Sequence, residues 1–133
     1  MFKNHVDLIG FIGSDPETRQ LENGATMTSF PVATKSSWKN DSGSYDSRTE
    51  WHRIVVWGKL AQFAATLRRS VHIEVEGQLR RRTYRQEIPT IHNKNVAVDR
   101  TVTEIHASVI RKLDRNHSST NSSEDDTAEE APE

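Results

Sequence analysis

Along residues 1–113 the hydrophobic positions recur mostly at every second residue, the period of a β-strand with one face turned to a core. Val6, Leu8, Gly10 and Ile12 share one parity and Ile9 and Phe11 the other, so the first strand is apolar on much of both faces. Gly10 and Gly13 permit coiling or close backbone approach, as at a barrel corner. Asn23-Gly24 predicts a two-residue turn between Glu17–Glu22 and Ala25–Ser37. In the second of these arms Phe30, Val32 and Thr34 alternate, and Pro31 predicts an edge or a bulge. Lys39 to Asp46 reads as a polar loop. Thr49 to Gly58 divides cleanly, with His52, Ile54 and Val56 on one face and Trp51, Arg53, Val55 and Trp57 on the other. Then the period changes. Leu60, Phe63, Ala64 and Leu67 are spaced as an amphipathic helix from about Lys59 to Arg69. Alternation resumes at Val71, Ile73 and Val75 and runs past Gly77 and Leu79 into Arg80-Arg81-Arg82-Thr83-Tyr84-Arg85. A polar connection with Pro89 follows, and a last strand from Val102 to Leu113 turns Ile105, Ala107 and Val109 inward.

Three strands, one helix and two further strands are the element order of the OB-fold, a five-stranded Greek-key barrel that commonly binds oligonucleotides or oligosaccharides. The expected class is therefore all-β with one helix, although small barrels of other topology give the same string. Composition adds a tail. Only 33% of residues are apolar, too few for a packed domain over the whole length. From Asn116 onward the only apolar residues are Ala128 and Ala131. Such a segment cannot bury enough surface to offset its ordering entropy. We expect a domain over residues 1–113 and a disordered acidic tail over 114–133. Charge follows the same division: residues 1–115 carry a net +5 and residues 116–133 a net −6. A basic domain with an acidic tail points to a polyanion ligand, with a plain domain and a solubilising tail as the competing reading. The chain has no cysteine, which excludes a disulfide framework and a thiolate zinc site. Asp7 interrupts the region where a secretion signal runs apolar, and no stretch is apolar enough to span a membrane, so a cytoplasmic location is expected.

The odd face of Thr49–Gly58 carries the most chemistry. Its side chains form one row, with Trp51 and Trp57 roughly 20 Å apart at about 3.3 Å per residue. Two indoles with a guanidinium between them suit nucleobases, whose π-faces stack whatever the sequence. Two tryptophans in a core is the competing reading, but Ile54 and Val56 already supply an inner face. Arg80, Arg82 and Tyr84 share a strand face, and Arg81 and Arg85 flank them. Such a pattern fits an electrostatic groove with a stacking platform, or an edge strand guarded against aggregation. Trp38 is a further platform or a loop anchor, and Lys35, Lys39, Lys59, Arg68 and Arg69 are within reach of phosphates. Catalysis finds little support. The six histidines lack metal-ligand spacing, and Gly10-Phe11-Ile12-Gly13 matches the GxxG loop of a KH domain but lies in alternating β sequence. There is no P-loop or nucleophile elbow. No catalytic residue, metal or cofactor is expected.

Three segments resemble bacterial single-stranded DNA-binding proteins (SSB). They are Val6–Arg19, Thr49–Ala61 with its run Thr-Glu-Trp-His-Arg-Ile-Val-Val-Trp-Gly-Lys-Leu-Ala, and Val75–Arg80, in the family's order and approximate spacing. The resemblance implies an OB-fold subunit of a homotetramer that wraps single-stranded DNA without sequence preference, in replication, recombination and repair, within the nucleoid. It places the family's stacking aromatics at Trp38, Trp51, Trp57 and Tyr84, where Trp57 and Tyr84 replace the frequent phenylalanine and tryptophan. It places phosphate contacts at Lys59, Arg69 and Lys3, beside the Lys35, Arg53, Arg80, Arg82 and Arg85 suggested by pattern. It associates His52 with subunit contacts. Residues Gln86–Arg100 depart from the family, and Thr83 stands where a basic residue is frequent. With Glu129-Glu130-Ala131-Pro132-Glu133 as its last residues, the chain is expected to carry the acids of the family's tail without the apolar, aromatic tip that, by the resemblance, docks replication and repair enzymes. A primosomal-type replication-restart accessory protein, which shares the fold, and an OB-fold adaptor that binds protein through Trp51 and Trp57 are the alternatives.

Overall fold

The alternating segments become strands in the computed structural model, which describes residues 1–92 and 94–113. The expected tail lies outside the described residues except for its boundary at Leu113. In chain order the elements are β1 (Val6–Ile12), β2 (Glu17–Gln20), β3 (Thr26–Lys39), β4 (Tyr45–Trp57), α1 (Gly58–Ala64), β5 (His72–Pro89) and β6 (Asn95–Lys112). The sheet runs β1-β5-β6-β4-β3-β2, and β1 also pairs with β3 through Phe11↔Ala33 and Ile12↔Val32. That second pairing closes β1, β5, β6, β4 and β3 into a five-stranded barrel, the OB-fold architecture, with β2 added to the outer edge of β3. All pairings are antiparallel except β4 with β6, which run parallel at Ile54↔Ile105 and Val55↔His106. Among the described residues no helix is long and apolar enough to cross a membrane.

The core holds the inward parity of each strand: Ile12, Phe30, Val32, Ile54, Val56, Ile73, Val75, Ile105 and Ile110, closed at one end by Ala61, Ala64 and Leu67. The buried Thr28 hydroxyl donates to the Ala61 carbonyl at 2.8 Å and ties the helix to β3. Pro31 sits where the outer partner of β3 changes, since pairing with β1 ends at Val32 and pairing with β2 begins at Ser29. Its carbonyl accepts from the Gly13 amide at 3.0 Å, so its missing N–H interrupts no ladder on that side.

Several expected boundaries move. The turn at Asn23-Gly24 belongs to a longer loop, because Leu21 N–H bonds the Ala25 carbonyl at 2.8 Å and leaves three residues between them. Gly24 takes the left-handed conformation that ends it, with φ of 87°. The helix stops at Ala64 rather than Arg69, and i→i−3 bonds from Thr66 and Leu67 tighten the chain so that it can turn back to β5. Leu67 stays buried after the helix, whereas Phe63, expected on its apolar stripe, is 40% exposed. The expected polar loop at Lys39–Asp46 is a turn over residues 40–44 between the two strands, whereas Gln86–Arg100 is mostly strand. Pairing continues to Lys39↔Tyr45 in one ribbon and to Pro89↔Asn95 in the other, leaving short turns at the tips of two long arms.

The inward parity of the last strand also changes. Register shifts between Glu76↔Val109 and Gly77↔Ala107, so Ser108 is an unpaired bulge residue. Beyond it Ile110 faces the core in place of Val109. The bulge needs Gly77, because a Cβ there would lie 2.2 Å from the His106 carbonyl oxygen. Gly77→Ala should therefore destabilise the barrel by about 1–3 kcal/mol, as overpacking against backbone does. Urea unfolding of the two proteins measures it, and an unchanged midpoint would refute this account of the bulge.

Candidate nucleic-acid interface

Register builds one continuous outer face. On β4 the odd residues point away from the core: Trp51 and Trp57 are 62% and 42% exposed, while Ile54 and Val56 are fully buried on the other side. Cross-strand pairing sets Ala33 beside Trp51, Pro31 beside Arg53 and Met27 beside Trp57. Because Val55 pairs with His106, the outward residues of β6 beside β4 are Glu104 and His106. The β5–β6 register then adds Arg80 opposite Glu104, Arg82 opposite Val102 and Tyr84 opposite Arg100. Trp51, Arg53, Trp57, Arg80, Arg82 and Tyr84 thus share one surface spanning three strands. Its charge and its rings are coupled, since the Arg82 guanidinium lies 5.5 Å from the Tyr84 ring centroid.

The benzo end of the Trp51 indole rests on Gly13. A Cβ at that glycine would fall 2.3 Å from a ring carbon, so the absent side chain makes the seat for the indole. Lys35, opposite Thr49, extends the same face along the β3–β4 arm.

Other expected site residues lie elsewhere. Trp38 pairs with Asp46 on the parity of Val32 and His52, so it occupies the opposite face of its ribbon. Arg85 is likewise opposite to Tyr84 and pairs with Asp99 at 3.4 Å. Lys59 lies on α1, Arg69 in the turn after it and Lys3 before β1, all outside the register that defines the face. The Arg69 amide donates to Asp15 at 2.8 Å. His52 is partly buried, with Nε2 2.9 Å from the Thr34 hydroxyl.

Glu104, which sequence reasoning missed, organises the centre of this surface. It is 3% exposed and accepts from Arg82 at 2.8 Å, from Arg53 Nε at 3.1 Å and from His106 Nε2 at 3.1 Å. One carboxylate therefore joins β4, β5 and β6 and fixes the two arginines between the aromatic rows. Burial alone would push its pKa up. The hydrogen bonds from Arg82, His106 and Arg53 overcome this and hold it at about 2. The only sequence signal was an acid on the outward parity of the last strand. Its partners depend on a parallel pairing that sequence does not reveal.

On the outer side of β1 and β5, the carboxylates of Asp7, Glu74 and Glu76 lie within 4.8 Å of one another. Asp7 hydrogen bonding and burial raise the Glu74 pKa, and Arg111 sits 2.8 Å from Glu76 and 3.4 Å from Glu74. A cation is thus already supplied by the chain.

The sequence profile of the single-strand binding protein family matches residues 3–113. The chain belongs to that family. The family binds DNA and is not catalytic. Single-stranded DNA-binding protein 1 of Chlorobaculum tepidum is 43% identical over 82 residues, which cover 61% of this chain. The match covers 51% of that relative, so the chain spans about half the length of the curated relative it resembles. Among solved structures, the Plasmodium falciparum SSB complex with ssDNA superposes with a TM-score of 0.69 at 26% identity, covering 86% of this chain and 97% of that one. A deletion mutant of the single-stranded DNA binding protein from Thermus aquaticus gives 0.66 at 23% identity, covering 86% and 52%, and supports the fold.

Proposed function

We propose that this chain binds single-stranded DNA by stacking bases on Trp51, Trp57 and Tyr84 while Arg53, Arg80, Arg82 and Lys35 meet phosphates. The observation that carries the reading is the placement of exposed aromatics and arginines on one face of three adjacent strands. A solvated, purely structural face has no use for two indoles at this exposure. Stacking and phosphate contacts tolerate most sequences, so the protein coats and protects exposed strands in replication, recombination and repair. It acts in the cytoplasm at the nucleoid, as a homotetramer in which His52 and its ribbon face lie near subunit contacts. Trp38, Lys3, Lys59, Arg69 and Arg85 meet DNA only where a strand leaves the main face and wraps onward.

Titrating intrinsic tryptophan fluorescence with a long oligo-dT, beside a duplex of equal length, tests the reading. Deep quenching by the single strand and little by the duplex is expected. Quenching by neither would turn the tryptophan row toward a protein partner instead. Affinity should also fall steeply with salt, because phosphate neutralisation releases counterions. Three arginines and Lys35 set a slope of log K against log salt of about −2 to −3 per subunit. A flat affinity from about 0.05 to 0.5 M salt would contradict the phosphate contacts.

A further inference from the structure

Beside Trp51 the outer face is not flat. A cavity of about 320 Å³ opens between β4, β3 and the segment joining β1 to β2. It is large enough for one nucleobase, since small-molecule pockets begin near 300 Å³. Trp51 and Pro31 line it with flat apolar surface, and Arg53 supplies donors beside them. Ser29 also lines it and is only 7% exposed. Among the described residues the Ser29 hydroxyl has no hydrogen-bond partner, although a buried hydroxyl nearly always has one. Glu17 pairs with Ser29 across β2 and β3, and its exposed carboxylate stands at the same cavity without an ion-pair partner among the described residues.

Ser14 and Asp15 also line the cavity, both exposed, and Asp15 already accepts from the Arg69 amide. The Glu17 carboxylate and the buried Ser29 hydroxyl are the unpartnered groups that decide which base edge fits. A carboxylate takes hydrogen bonds and gives none, so it matches an exocyclic amine and opposes a carbonyl. A serine hydroxyl either donates or accepts, and Arg53 donates. Cytosine offers this combination on one edge, with the N4 amine as donor and N3 and O2 as acceptors. Thymine places a carbonyl where the amine would be. Resting on the DNA-binding reading above, we propose that this cavity is a base subsite that takes one nucleotide out of the stacked row and prefers cytosine to thymine. The rest of the face remains tolerant of sequence, so the preference acts at one position of the bound strand.

The test uses the full chain and dT 12-mers carrying a single dC or a single dU at each position in turn. Displacement of a labelled dT oligomer at fixed salt gives relative affinities. One dC, at one position or a few neighbouring ones, should tighten binding about fivefold, the low end for a specific base contact. At the same positions dU, which has the ring but a carbonyl for the amine, should give no gain. Glu17→Gln and Ser29→Ala should each bring the dC-to-dT ratio close to one. Glu17 is exposed and the serine change removes a single oxygen, so both variants should fold. Equal affinity at every position, or a ratio unchanged in both variants, would overturn the subsite while leaving single-strand binding in place. If dT 12-mers fail to bind at all, the DNA-binding reading itself falls and the subsite with it.

Discussion

Replacing Trp51 and Trp57 together with alanine should weaken binding to oligo-dT by about 30-fold or more. Each stacked base contributes roughly 1–3 kcal/mol, so two lost platforms remove at least about 2 kcal/mol. Both indoles are substantially exposed in the free protein, at 62% and 42%, so the thermal midpoint should move little. This separation of binding from folding distinguishes a stacking role from a core role, in which stability would fall first. Trp38→Ala is the internal comparison. It lies on the opposite face of the β3–β4 ribbon and should weaken the same short oligomer by much less. Fluorescence anisotropy of an end-labelled oligomer at fixed salt measures all three proteins. A double variant that binds like the parent would remove the aromatic row from the mechanism.

Much of this face could be read from the chain because it depends on local periodicity. The row Trp51, Arg53, Val55, Trp57 follows from alternation within one strand, as does the grouping of Arg80, Arg82 and Tyr84. Closure of the barrel was also foreshadowed, since Gly10 allows β1 to approach the Ala33 carbonyl at a distance no side chain permits. What sequence hid is long-range. Whether the two rows meet is decided by the parallel pairing of β4 with β6, which brings His106 beside Val55 and so Glu104 between two arginines. The bulge at Ser108 was equally hidden, because Val109 and Ile110 are both apolar and alternation cannot choose between them. The β5–β6 arm is hidden for another reason. Beyond the barrel both faces of a ribbon are solvated, so Gln86–Pro89 and Asn95–Arg100 carry few inward apolar residues even though they are strand. Polarity there marks exposure rather than a loop.

Glu104→Gln should show how the arginine clamp couples stability to pH. The carboxylate has a folded-state pKa of about 2 against an ordinary value of 4.5, so the native protein favours its charged form. A depressed carboxylate stabilises the fold fully above the ordinary value, and that contribution disappears as pH falls from about 4.5 toward 2. At neutral pH its size is on the order of 2–3 kcal/mol, reduced from the full linkage value because Arg53 and Arg82 are half exposed and partly screened by water. The glutamine variant cannot ionise. It should be less stable than the parent at pH 7 by this order, and the difference should shrink steadily between pH 5 and pH 3. Glu74 has the opposite sign, since its raised pKa adds stability as pH falls, but both proteins carry it and it cancels in the comparison. Urea midpoints of the two proteins from pH 7 to pH 3 provide the measurement. A constant gap across that range would mean that the charge on Glu104 is not what binds β4, β5 and β6 together. Convergence at low pH would show that the cationic face is held in place by the single acid buried within it.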